Sequence, residues 1–134
     1  MQHASMRVLI VDDETVIRRS VSELLAAEGY DVYESRDGVD VVPLAAEKSP
    51  DLVVLDVRMP VVDGFQALRE LRTDHRTEHI PVLMLSSVND YELGTEYDEA
   101  RIGQHTGVRA PEAFVEKPFI TADLLRRVAC VVEN

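Results

Sequence analysis

A chain of 134 residues, 46% apolar and 29% charged, is the size and composition of one globular domain, not of a disordered segment. Acids outnumber bases 25 to 14, a formal charge of −11, so the surface opposes nucleic-acid phosphates and direct nucleic-acid binding by this chain is not expected. No apolar run approaches the ~18 residues of a membrane-spanning helix, and Cys130, the single cysteine, cannot form an internal disulfide.

Residues 1–5 (MQHAS) carry no apolar signal segment and read as a leader or an added remnant, which leaves 6–134 as the domain. A lone thiol is compatible with a reducing cytoplasm, the expected location. Arg7 to Val11 (RVLIV) is a continuous apolar run that stops at Asp12, Asp13 and Glu14; such runs suit a strand buried on both faces. A helix is predicted from about Thr15 to Glu28, with Ile17, Val21, Leu24 and Leu25 on one stripe and Gly29 as its stop. Tyr30 to Glu34 alternates as a second strand. Asp37-Gly38 opens a second helix with Asp37 as N-cap, and Pro43 predicts that this helix is kinked or begins late. Asp51 to Asp56 (DLVVLD) is the third strand, again ending in a carboxylate. Phe65, Leu68 and Leu71 mark a third helix. Ile80 to Leu85 is a fourth strand ending at Ser86-Ser87, and Glu112 to Glu116 a fifth ending at Lys117-Pro118. Thr121 is expected to cap a last helix with Leu124, Leu125, Val128, Val131 and Val132 on its stripe. Val88 to Pro111 has a poor stripe and an atypical fourth-helix pattern. Strands alternating with helices of this length predict an α/β fold: a doubly wound five-stranded parallel sheet with helices on both faces.

In such sheets ligands bind outside the carboxyl ends of the strands. Those ends carry Asp12 and Asp13, then Asp56, then Ser86 and Ser87, then Lys117. Carboxylates a few ångströms apart repel by about 4 kcal/mol per pair at an effective dielectric near 20. They raise a pKa or bind a cation. Hard oxygen donors without thiolate or imidazole suit Mg²⁺, and the four histidines show no ligand spacing. Lysine and hydroxyl at neighbouring strand ends suit an incoming anion. Together these are the parts of a phosphoryl-transfer site.

The segments VLIVDDE, DLVVLDVRMPVVDG, PVLMLSS and FVEKPF, in this order, resemble the receiver domain of two-component response regulators, a flavodoxin-like fold. The resemblance implies that Asp56 accepts a phosphoryl group from a sensor histidine kinase or phosphotransfer protein. It implies Mg²⁺ held by Asp13, Asp56 and the Arg58 carbonyl, with Asp12 in the metal shell. Lys117 and Ser86 would hold phosphoryl oxygens, together with the amides of Val57 and Ser87. Phe114 occupies the switch-aromatic position that would respond to Ser86, and the Lys117-Pro118 bond is expected to be cis. The output would pass to a downstream protein or effector domain, with homodimerisation left open and no membrane partner. Such a domain phosphorylates and dephosphorylates itself but turns over no separate substrate.

Two departures stand out. Ser86 and Lys117 are 31 positions apart, longer than the family pattern, and RAPEAF replaces the usual small residues before the last strand; an altered partner surface is expected there. The resemblance implies that Arg58 and Val88 border the site and tune how long the phosphate survives, and an arginine at the first of these positions predicts slow loss of phosphate. The chief alternative is a pseudo-receiver, an interaction module that switches without phosphate, against which the intact acids, Ser86 and Lys117 argue. A Mg²⁺-dependent phosphatase would need an acid where Arg58 stands. Flavin binding would need a glycine-rich loop where the acids Asp12 to Glu14 stand.

Overall fold

Every predicted apolar run becomes a strand, shifted by two residues or fewer at its ends. The computed structural model describes residues 6–59, 61–87 and 107–133. Among them the order is β1 (Arg7–Val11), α1 (Thr15–Ala27), β2 (Asp31–Ser35), α2 (Val41–Lys48), β3 (Leu52–Asp56), α3 (Gly64–Thr73), β4 (Val82–Ser87), β5 (Ala113–Lys117) and α4 (Thr121–Val132). The sheet order is β2-β1-β3-β4-β5, with every neighbouring pair parallel. This is the flavodoxin-like doubly wound sheet expected from the sequence. The order reverses between β1 and β3, so connections leave the C-terminal edge in opposite directions and open a crevice there. The atypical segment from Val88 lies, up to residue 106, outside the described residues, as do residues 1–5.

Successive strand residues point to opposite faces, and each face has its own core. Leu9, Val11, Val53, Leu55 and Met84 pack against Val41 and Ala45 of α2 and Ala67, Leu68 and Leu71 of α3. Val8, Ile10, Val54, Leu83 and Leu85 pack against Val21 and Leu25 of α1 and Leu124 and Val128 of α4. All of these side chains are fully buried, at roughly 1.5–3 kcal/mol for each of the larger ones. That burial fixes where the strands stop, and with them the polar residues that follow.

Two expected caps take another form. Helix α2 begins at Val41, late as Pro43 predicts, because proline is tolerated in a first turn. Asp37 therefore is not its N-cap; its Oδ1 accepts the Val39 N–H at 3.0 Å in a local turn. Thr121 is the first residue of α4, and Ile120 precedes it without a side-chain cap. Gly29 does end α1, with φ 96° and its N–H on the Ala26 carbonyl at 3.0 Å.

An ion pair between a buried arginine and a more exposed glutamate locks the entry to β5. The Arg72 side chain is 2% exposed and donates to Glu112 Oε1 at 2.7 Å, to the Ile80 carbonyl at 2.7 Å and to the Ala110 carbonyl at 3.1 Å. Glu112 grips Val82 from both sides: its Oε1 accepts the Val82 N–H at 2.7 Å and its own N–H donates to the Val82 carbonyl at 2.8 Å. Burial alone would raise the Glu112 pKa, but the Val82 amide and Arg72 hold it below the usual carboxylate range. The departure in RAPEAF thus has a structural role, tying the chain before β5 to the end of α3.

We predict that Arg72→Met costs roughly 2 kcal/mol in denaturant unfolding, since it leaves the Arg109, Ala110 and Ile80 carbonyls without the guanidinium, while Glu112 keeps the Val82 amide and Arg109; a loss below about 0.5 kcal/mol would show the network to be marginal. At the opposite end, Val61 is 88% exposed and sits at φ 69°, a left-handed conformation that β-branched residues resist. Val61→Gly should therefore raise stability by about 1 kcal/mol, and a destabilised variant would show that no strain resides there.

Candidate functional site

The polar groups that follow the buried strands meet at the crevice beside β1 and β3. Asp12, directly after β1, is fully buried, and Asp56, the last residue of β3, is 3% exposed. Lys117 ends β5, two strands away from Asp56, and its long stem crosses the end of β4. Its Nζ lies 2.8 Å from Asp56 Oδ1, 3.3 Å from Glu14 Oε1 and 3.4 Å from Asp12 Oδ2. Asp13 is half-buried, and carboxylate oxygens of Asp12, Asp13 and Asp56 lie within 4.8 Å of one another.

Asp12 is held at every polar atom. Its N–H donates to the Ser35 carbonyl at 3.1 Å. Its Oδ1 accepts the Glu14 N–H at 2.9 Å and its Oδ2 takes Lys117. Its carbonyl accepts Arg18 Nη1 at 2.9 Å. Behind Asp56, the helix α3 comes so close that a Cβ on Gly64 would collide with the Asp56 carbonyl oxygen and lie 2.7 Å from Val57 Cα. The Gly64 N–H donates to the Val57 carbonyl at 2.7 Å. Only glycine permits that approach.

The other predicted site residues are placed as follows. Ser86 is 2% exposed on β4, between β3 and β5 and one residue beyond Leu85, which pairs with Asp56. Arg58 is exposed in the loop two residues past Asp56. The backbone of Ser87 pairs with Lys117. The Val57 amide, expected to face a phosphoryl oxygen, donates to the Leu85 carbonyl at 3.0 Å and extends the β3–β4 ladder. Phe114 is half-buried against the core on the α2 and α3 side, with its carbonyl accepting Arg127 Nη1 at 3.2 Å. The Lys117–Pro118 peptide is cis.

Sequence reasoning missed three contributors. Glu14 is a third carboxylate on Lys117; its signal was its place next to the acid pair. Arg18 is 8% exposed, and the signal was a lone arginine at i, i+3, i+7 with Val21 and Leu25. Gly64 carries no signal without a neighbour to measure against.

The electrostatics follow from an unequal match. One ammonium serves three carboxylates, with Asp13 close by. Burial is the largest influence on Asp56 and, with the Asp12 charge, pushes its pKa up to about 7 against the lowering effect of the Lys117 hydrogen bond. Burial also raises Asp12. For Lys117 burial alone would lower the pKa, but Asp56, Asp12 and Glu14 together outweigh it and raise it. The two directions agree: the lysine is surrounded by negative charge, and no single carboxylate owns the lysine. Oxygen donors alone, crowded and short of positive charge, fit a hard divalent ion such as Mg²⁺, with Asp12, Asp13 and Asp56 as the groups able to hold it.

Comparison with known proteins agrees with this geometry. The family profile described as "response regulator receiver domain" matches residues 8–129. The DNA-binding dual master transcriptional regulator RpaA of Synechocystis is 39% identical over 96% of the chain, and Response regulator MprA of a Mycobacterium is 33% identical over 96%. These matches cover 49% and 51% of those proteins, so the chain spans about half the length of the curated relatives it matches. Among solved structures, Vibrio cholerae chemotaxis protein CheY4 superposes with a TM-score of 0.79 at 30% identity, covering 96% of this chain and 99% of that one. The receiver domain of the Pseudomonas aeruginosa sensor histidine kinase PA1611, solved with magnesium coordinated in its active-site cleft, gives 0.80 at 26% identity, covering 98% and 100%. With all five strands, save the first residue of β1, and the acid cluster inside the matched span, the chain belongs to the family of response regulator receiver domains.

Proposed function

We propose that this domain accepts a phosphoryl group on Asp56 in a Mg²⁺-dependent reaction and signals through the resulting change of surface. The observation that carries the reading is the Lys117 ammonium 2.8 Å from Asp56 and 3.4 Å from Asp12, beside a third acid, at the switch point of the sheet. A carboxylate of Asp56 attacks the phosphorus of a phosphohistidine on a kinase or phosphotransfer protein. The P–O bond to Asp56 forms as the P–N bond breaks, and the imidazole leaves with a proton. Bound at Asp12, Asp13 and Asp56, Mg²⁺ would offset the crowding of acids and the charge of the arriving group. Lys117, 2.8 Å from Asp56, would keep Asp56 oriented before transfer and turn its ammonium to a phosphoryl oxygen afterwards, and Ser86 would donate its hydroxyl to another.

On this reading the phosphoryl donor would approach over the face beside Lys117. A groove of about 530 Å³ runs beside Lys117, lined by Ile17, Ser20 and Leu24 of α1 and Pro118 and Phe119 after β5. The downstream partner is a protein or effector domain reached through Phe114 and the β5–α4 side, as the family resemblance implies. The charge of −11 opposes direct contact with nucleic acid, so DNA binding of the kind named for RpaA would fall to another domain. The chain would turn over no separate substrate.

Incubation with acetyl phosphate and Mg²⁺ should add one phosphoryl group to the wild type by intact mass, and none to Asp56→Asn or to either protein in EDTA. Equal labelling of Asp56→Asn would remove Asp56 from the role.

The raised Asp56 pKa also makes a stability prediction for metal-free protein. A carboxyl lifted from 3.8 to about 7 binds a proton more tightly when folded. Its contribution is largest below the unfolded pKa and declines as pH rises through this window. Between pH 4.5 and 7.5, Asp56→Asn should gain on the wild type by roughly 1–4 kcal/mol in urea unfolding, and Mg²⁺ at pH 7.5 should reverse that gain. A difference between the two proteins that does not vary with pH would refute the burial argument.

A further inference from the structure

A buried arginine outside the acid cluster holds the peptide that joins its first two members. Arg18 is 8% exposed. Its Nη1 donates to the Asp12 carbonyl at 2.9 Å and its Nε to Glu34 Oε1 at 2.9 Å. Glu34 comes from β2, where it pairs in register with Ile10 of β1. The Asp12 carbonyl belongs to the plane linking Asp12 to Asp13, and the N–H on the other side of Asp12 is held by the Ser35 carbonyl at 3.1 Å. With both ends of Asp12 pinned, the directions in which its side chain and that of Asp13 diverge are set.

We infer that Arg18, aimed by Glu34, is a positioning residue for the divalent-cation pocket, fixing the Asp12–Asp13 peptide so that both carboxylates serve one ion. This rests on the proposed role of the acid cluster as a Mg²⁺ site. The chemistry favours arginine over lysine here. A planar guanidinium offers two donors at fixed angles, one for the carbonyl and one for the carboxylate, where an ammonium supplies a point charge. Glu34 balances a charge that would otherwise be buried without a counter-ion. Metal pockets depend on such supporting contacts because their ligands must be held to within about half an ångström.

The test is a Mg²⁺ titration of the full chain without phosphoryl donor, followed through the backbone amide NMR shifts of Asp13 and its neighbours, with thermal unfolding measured in parallel. Arg18→Met should weaken Mg²⁺ binding by about tenfold or more. Arg18→Lys should restore part of that loss, and adding Glu34→Gln to Arg18→Met should cost no further affinity, since both act through one contact. A lower unfolding temperature with Mg²⁺ affinity unchanged within about twofold would overturn the inference and leave Arg18 a purely structural residue. If Arg18→Met does not fold, Glu34→Gln decides by the same criterion, with a loss of about threefold or more expected. Failure of the wild type to bind Mg²⁺, or an unchanged affinity in Asp13→Asn, would instead overturn the reading of the cluster as a metal site, and the inference with it.

Discussion

Among the hydrogen bonds and ion pairs of the described residues, the site is governed by an excess of carboxylates over the one ammonium that bonds them. Four carboxylates, from Asp12, Asp13, Glu14 and Asp56, gather at one sheet edge, and a single lysine ammonium bonds three of them. Each close acid pair costs about 4 kcal/mol at an effective dielectric of 20, and the burial of Asp12 and Asp56 removes the water that would screen them. The protein alone meets that cost by raising carboxyl pKa values, Asp56 to about 7. A hard divalent ion and a bound phosphoryl group would change the balance in opposite senses, so on the proposed function the charge of the pocket would couple to both. A pocket with a neutral resting arrangement would lack that responsiveness.

The apolar strands make this arrangement possible. They are buried on both faces, so their ends are fixed by packing and not by the polar groups that follow. The reversal of strand order between β1 and β3 brings Asp12 and Asp56 onto adjacent strands, while the lysine reaches them across β4. The approach of Gly64 to the Asp56 carbonyl and Val57 closes the pocket from behind. At the other end of the sheet, the Arg72–Glu112 pair fixes the entry to β5, five residues before Lys117. Both ends of β5 are thus held by ionic contacts, one structural and one at the site.

Much of this was legible in the sequence, for a physical reason. Runs such as RVLIV and LVVLD call for burial, their short length and β-branched content favour strands, and each ends abruptly at an acid. The order of those ends puts the acids and Lys117 on one sheet edge, where the fold brings them together. What escaped depends on distance in space. Arg18 lies on the buried stripe of α1, but its partners Glu34 and the Asp12 carbonyl belong to other elements. Glu112 begins an ordinary strand on paper and proves to be the acceptor for Arg72, 40 positions earlier. Asp37 and Thr121 show that a residue suited to a cap need not serve as one where Pro43 or the loop after Pro118 sets the start.

The excess of carboxylates is tested most directly by following the side-chain carboxyl carbon of Asp56 by ¹³C NMR as pH is raised, with and without Mg²⁺. The account predicts a midpoint near 7 in the metal-free protein and a fall well below that value when Mg²⁺ is added. An Asp56 carboxyl already ionised at mildly acidic pH and indifferent to the metal would contradict it.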